Sequence, residues 1–343
     1  MSGTAFPVER PDMTPLNTET LIAPAGAALP RPGTLADVKG WFFDQDQLLF
    51  DWLLAHQART GVRGDLLEMG AYLGKSAIYL ARYLNPGEEF TVCDLFDSPA
   101  GDEANGAEMR GSYATLTRRA FEANYLAFHD ELPTVLQGPT TLVPEEVAPG
   151  SCRFVHVDAS HLYDHVRGDI TAARRALSPE GVVVLDDYRS EHTPGVSAAV
   201  WEALFTQGLR PICLSRTKFY GTWGDPAPWQ EALILEIVGR GDCHADLQTV
   251  AGHRVLRLIS GRDLVLPALP RSRHYEALRS EERAAEEIRR RRADTDARAT
   301  SAAREAEAAQ RRSAARRPKA RARRAALLFL PPLAAKGLRR LRR

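Results

Sequence analysis

The sequence predicts an α/β fold, a mainly parallel sheet with helices on both faces and an antiparallel edge. Three observations predict it. Apolar, strand-length runs alternate with helical stretches over residues 64–207. Two of those runs, VHVDASH (155–161) and VVVLDDY (182–188), end abruptly in carboxylates, and a glycine-bearing turn, EMGAYLGKSA (68–77), follows the first run. Such alternation places parallel strands side by side and packs the connecting helices on the two faces.

Taken in order, residues 1–40 are rich in Pro, Thr and Gly without sustained periodicity and read as an N-terminal arm. Leu48, Leu49, Trp52, Leu53 and Ala55 then fall on one helical stripe, which predicts a helix over 44–59 ahead of the first strand. Strands follow at 64–69, 89–95, 134–138, 152–158 and 181–187. Helices are expected at 75–84, 113–128, 163–177 and 196–207, with a short one before residue 152. Two β-prone runs, 211–223 and 232–238, lack a full helix between them and predict the antiparallel edge, and HRVLRLIS (253–260) predicts one more strand. Together these make one domain over 41–265. Residues 266–343 form an Ala/Arg/Glu-rich tail, in which 275–317 carries only Leu278 and Ile288 as large apolar residues. It can be helical or disordered, but has no seam to bury.

Composition bounds the function classes. The 343 residues, 44% apolar, suffice for one large α/β domain with appendages. Cys93, Cys152, Cys213 and Cys243 are widely spaced, so neither a disulfide framework nor a CxxC metal knuckle is expected. That usage fits a reducing cytoplasm, and no signal peptide is expected. The net charge of +1 conceals an asymmetry, since 23 of the 45 basic but only 9 of the 44 acidic residues lie from Arg271 onward. The apolar stretch 325–335 is too short for a membrane span, which needs about 20 residues. Its basic flanks are compatible with a weak peripheral membrane contact or with the acidic body of a second copy, hence a homo-oligomer. Without aromatic interleaving, no specific nucleic-acid recognition is expected.

The turn after the first strand excludes two phosphate motifs. A P-loop needs four residues between its glycines and Gly70 and Gly74 enclose three, while GxGxxG fails because position 72 is Tyr72. The remaining pattern, acid-x-Gly-x-x-x-Gly with a second acid at the end of the next strand, here Glu68 and Asp94, is similar to that of class I methyltransferases. A donor without phosphate needs close backbone approach and an acid to accept hydrogen bonds from ribose hydroxyls. Asp158, Asp186 and Asp187 converge at one sheet edge, where like charges call for a cation, and His161 supplies a group able to take a proton near neutral pH.

On Gly70, Gly74, Asp94, Asp158, His161, Asp186 and Asp187 the chain resembles the macrocin O-methyltransferase-like family of class I, S-adenosylmethionine-dependent methyltransferases, over about 41–239. The resemblance implies a Rossmann-like sheet and methylation of a hydroxyl on a glycoside or polyol-like metabolite. It implies S-adenosylmethionine at Glu68, Gly70, Tyr72, Gly74, Ser76, Asp94 and Asp158, Mg²⁺ on Asp158, Asp186 and Asp187, and His161 as base. His192 is the rival base, His156 reads as a packed core histidine, and His165 as a supporting or surface group. Adjacent Asp186 and Asp187 cannot both point one way in a regular strand, so one must act from the turn that follows. Residues 97–113 suit a lid, and Tyr188, Arg189 and 218–223 lie toward the acceptor. Other readings are an oxygenase component of the cephalosporin hydroxylase-like kind, and a non-catalytic cofactor-binding adaptor docking through its basic tail.

Overall fold

A computed structural model describes residues 29–99, 101, 106, 116–261 and 263–328. Most of the expected N-terminal arm, most of the expected lid at 97–113, and the tail beyond residue 328 lie outside the described residues. The chain divides into two units, Met1–Tyr275 and Glu276–Arg343.

The first unit is built on one nine-stranded sheet of order β3-β2-β1-β4-β5-β7-β6-β9-β8. Its strands are β1 (Asp65–Met69), β2 (Phe90–Asp94), β3 (Thr134–Gln137), β4 (Cys152–Val157), β5 (Leu177–Leu185), β6 (Arg210–Leu214), β7 (Phe219–Thr222), β8 (Cys243–Val250) and β9 (His253–Ser260). The first five pair in parallel, and β7 enters antiparallel between β5 and β6. The parallel strands are apolar on both faces because both are covered. Leu66, Phe154, Val182 and Val184 pack in one core cluster, and Leu67, Val155, Val183 and Leu185 in the other.

The helices are α1 (Asp44–Thr60), α2 (Lys75–Leu80), α3 (Arg118–Leu126), α4 (Val143–Glu146), α5 (Tyr163–Ala176), α6 (Pro194–Thr206) and α7 (Ala227–Glu236). Asp44 and Asp46 in the first turn of α1 complement its dipole, and Gly61, at φ 79°, ends it in a left-handed cap. Phe50 of α1 packs edge-on to Phe154 and His156, which seats this helix over the middle of the sheet. From the part of the expected arm that is described, Leu35 and Val38 join the same core.

The run 232–238, expected as an edge strand, is instead the end of α7 and the turn beyond it. Its residues ALILEIV carry apolar side chains all round, so no alternation separates strand from helix. Trp229 and Leu233, one turn apart, provide the buried contact. The edge is completed by β8, which pairs with β9 through a two-residue turn of Ala251 and Gly252, both at positive φ, the conformation that matches hairpin twist.

The second unit is described as the greater part of α8 (Tyr275–Leu328). Its described side chains are almost all exposed, and its ion pairs, such as Arg291 with Glu287 and Arg311 with Glu307, are internal i,i+4 pairs. Among the described residues, no helix is long and apolar enough to cross a membrane.

Candidate active site

Parallel strands that all end on one side leave a crevice beyond their carboxyl ends, where ligands of open α/β sheets bind. Here a cavity of about 880 Å³ lies at the ends of β1, β2, β4 and β5 and is walled by Gly70, Tyr72, Ser76, Asp94, Asp158, His161, Asp186, Asp187 and His192 among others. Most of the residues expected from sequence to form the site therefore meet in one place. Glu68 and Gly74 do not form its wall: Glu68 is buried beneath it, and Gly74 faces Phe121.

The glycine turn is shaped by close approach. Gly70 sits at φ 82°, and a Cβ there would lie 2.0 Å from the carbonyl oxygen of Asp158. Only glycine lets the end of β1 pass the end of β4 at this distance. Tyr72, at φ 48°, holds a left-handed conformation uncommon for a side-chain-bearing residue. Asp94 stabilises the turn, its Oδ2 accepting from the N–H groups of Ala71 at 2.7 Å and Tyr72 at 2.9 Å, and its Oδ1 from Phe96 at 2.7 Å. Burial nonetheless pushes its carboxyl up. Carboxylate oxygens accept more than one bond each, so Asp94 can brace the turn and still receive a hydroxyl. Trp41, 62% exposed, stacks on Tyr72 at 5.7 Å between ring centres and also walls the cavity.

The three carboxylates do not form one set. Asp187 has left the strand at φ 53°, so it turns away from Asp186 toward His161, whose Nε2 is 3.0 Å from Asp187 Oδ2. Ser190 Oγ donates to Asp187 Oδ1. Burial raises the Asp187 carboxyl, but the His161 and Ser190 hydrogen bonds outweigh it and leave the group below its ordinary value. His192 lies edge-on to His161 at 6.0 Å. Asp158 is raised by burial, the nearby Lys218 ammonium opposing the rise.

Asp186 belongs to a different network. Lys218, 1% exposed, donates through Nζ to Asp186 Oδ2, and Nζ lies 3.4 Å from His156 Nε2. An ammonium only donates, so His156 Nε2 is the acceptor and Nδ1 carries the proton, given 2.7 Å away to Glu68 Oε1. Burial drives His156 well below its ordinary value, keeping it neutral, and pushes Glu68 up to about 8 against a hydrogen bond from Ser76.

The sheet register accounts for this arrangement. Glu68 pairs with His156, His156 with Val184 and Val184 with Tyr220, so these share a face. Asp158, Asp186 and Lys218 are each two residues from a member of that row and lie on the same face. His156 is thus more than core packing, and Lys218, expected with 218–223 to lie toward the acceptor, is instead part of this buried network. The available signal was a polar residue at an inward position of an apolar strand, as in LLEM and FVHV, which demands a partner. Of the other residues expected toward the acceptor, Tyr188 is buried against Trp201 and Phe219, and Tyr220 donates to Asp46.

Ligand atoms of His156, Asp158 and Asp186 lie within 4.8 Å of one another, a spacing a cation can bridge. Lys218 is the cation there, with Nζ on both the Asp186 and the His156 ligand atoms. A divalent ion bound to the same atoms would crowd a buried ammonium, so this donor set does not fit resident Mg²⁺ alongside Lys218. The glycine turn, by contrast, fits S-adenosylmethionine: Gly70 and the start of α2 allow close approach, and Asp94 offers the acceptor for ribose.

An open α/β crevice with a glycine turn and an acid at the next strand end is the arrangement expected of a class I methyltransferase. Residues 67–188 match the family described as a methyltransferase domain, and methyl transfer is accordingly the enzyme class of this chain. No protein of curated function matches the chain. Among solved structures, the O-methyltransferase NovP is similar at 20% identity and TM-score 0.41, over 52% of this chain and 79% of its own. A Corynebacterium glutamicum protein is similar at 16% identity and TM-score 0.39, over 54% and 83%. CalS11, a TDP-rhamnose 3'-O-methyltransferase of calicheamicin biosynthesis, is similar at 19% and 0.35, over 53% and 80%.

Proposed function

We propose that the protein is an O-methyltransferase acting on a hydroxyl of a sugar-bearing or polyol-like small molecule. The observation that carries this reading is the His161–Asp187 pair in the cavity wall, 3.0 Å apart and in the same cavity as the glycine turn. S-adenosylmethionine, when bound, supplies an electrophilic methyl group, with Gly70, Tyr72, Ser76 and Asp94 as the residues that would hold it. The chain's own task is the acceptor. A sugar hydroxyl is too weak an acid to ionise at neutral pH, so transfer to oxygen needs a group to take its proton.

His161 is that group. With Nε2–H given to Asp187, Nδ1 is the basic nitrogen, and the ionised Asp187 stabilises the imidazolium once the proton has moved. Ser190 fixes Asp187, and the left-handed turn at Asp187 aims it away from the buried network. Trp41 and Tyr72 give the cavity an aromatic wall on which the apolar face of a sugar ring can stack. Magnesium dependence, expected from the three acids, is not carried into this reading, because Asp186 is held by Lys218 and Asp187 by His161.

A methyl-transfer screen over glycosides and polyhydroxylated metabolites, run with and without Mg²⁺, tests the reading. Methyl ether products are expected. Oxidised product would favour the oxygenase reading, and failure to bind S-adenosylhomocysteine by calorimetry would remove methyl transfer altogether.

A further inference from the structure

We propose that Lys218 is the resident cation of this site, a positioning residue whose ammonium takes the place of a divalent metal and makes the site metal-independent. The inference rests on the methyl-transfer reading, which it deepens. Nothing in the outline of the site requires a lysine: three strand-end carboxylates beside a cavity would accommodate a hard cation from solvent. The chain instead spends a buried lysine there. The turn between β6 and β7 is closed by Ser215, whose N–H donates to the Lys218 carbonyl at 3.0 Å and whose Oγ accepts from the Lys218 N–H at 3.1 Å. Leu185 pairs with Phe219 in antiparallel register, so the preceding residue, Lys218, comes opposite Asp186.

Burying an ammonium is costly unless it is paired and its donors are met. Lys218 is paired with Asp186 and directs a second donor at His156, which is itself fixed by Glu68. The side chain approaches Asp186 from beneath the cavity, so it acts through Asp186 and not on the acceptor. A metal in its place would carry open coordination positions toward the acceptor oxygen; an ammonium does not. Proton removal then rests on His161 alone, which is why that histidine has its own carboxylate, separate from the buried network.

The test is Mn²⁺ binding to the full-length protein, followed by the free-ion paramagnetic resonance signal. The wild type is expected to take up no Mn²⁺ at about 1 mM, the weak end of the range of specific divalent-cation sites. Lys218→Ala leaves His156, Asp158 and Asp186 without a cation, and is expected to bind one Mn²⁺ at least about tenfold more tightly than the wild type, a gain lost again on adding Asp158→Asn. Lys218→Arg is expected to keep the wild-type result.

Wild-type uptake of one Mn²⁺ that Asp186→Asn abolishes would overturn the proposal, as would a folded Lys218→Ala protein that takes up none. Should the alanine variant not fold, the wild-type titration decides by itself, with Lys218→Gln as the second variant. Calorimetry with S-adenosylhomocysteine on the same samples keeps the two ideas apart. Its failure to bind would remove the methyl-transfer reading and leave the metal count standing.

Discussion

His161 and Glu68 are both titratable residues beside carboxylates or imidazoles, yet their surroundings give them opposite tasks. His161 is partly exposed at the cavity and paired with an ionised Asp187, the arrangement for gaining and losing a proton. Its replacement by Gln is expected to lower the rate of methyl transfer by about 10²–10⁴, the usual contribution of a general base, with S-adenosylhomocysteine affinity unchanged. Single-turnover transfer of labelled methyl, beside calorimetry, reads both. Glu68 is sealed in, and its fold-imposed rise to about 8 has a consequence for stability. In the unfolded chain it ionises near 4.5, so between those values the native state holds the extra proton. Native stability therefore falls as pH rises from about 4.5 to about 8, and the loss is complete above that. Glu68→Gln keeps an oxygen for His156 Nδ1–H and removes the titration. Urea unfolding is expected to find variant and wild type similar near pH 5 and the variant more stable by a few kcal/mol near pH 8.5. A difference that does not change with pH would refute the buried titration.

Among elements, the contact between the ends of β1 and β4 is the tightest constraint on the site. Gly70→Ala must force the Asp158 carbonyl away, because that oxygen and the carbon behind it are main chain and cannot swing aside. The substitution is expected to cost several kcal/mol and to weaken cofactor binding together with stability, measured by thermal melting with and without S-adenosylhomocysteine. This glycine turn was legible in the sequence because its restriction is local: glycines at fixed spacing, an acid before them and another at the next strand end. Strands ending in Asp158, Asp186 and Asp187 were legible for the same reason, and so was the need for one of the adjacent acids to act from a turn. The pairing of Asp186 with Lys218 was not. It joins residues 32 apart through the antiparallel insertion of β7, and His156 meets Glu68 across 88 residues. No spacing announces contacts made by register between strands. The run 232–238 reads as strand but forms the end of α7 and the turn beyond it for a related reason, since apolar residues on every side remove the periodicity that distinguishes the two.

At the scale of the whole molecule, the charge asymmetry follows the division into two units. The site, its sheet and all the buried contacts described belong to the first unit, which closes on itself just before the division. Thr34 bridges Arg271, the Ser272 N–H donates to Gly33 and its Oγ to Pro32, and Arg273 donates to the carbonyl of Ala127. Those bonds fasten the end of the unit to residues 32–34 and to the C-terminal end of α3, and none needs a residue past Tyr275. The described part of α8 has no apolar stripe, and exposed i,i+4 ion pairs contribute only about 0.3–0.5 kcal/mol each. A chain ending at Tyr275 is therefore expected to fold, to bind S-adenosylhomocysteine within about twofold of the full chain, and to melt within a few degrees of it. The helical circular dichroism lost on truncation should itself disappear gradually on heating and weaken in high salt, as expected for a helix supported by local pairs. If truncation instead abolishes cofactor binding, the tail is part of the catalytic unit, and the adaptor reading loses its premise that docking and chemistry are separable.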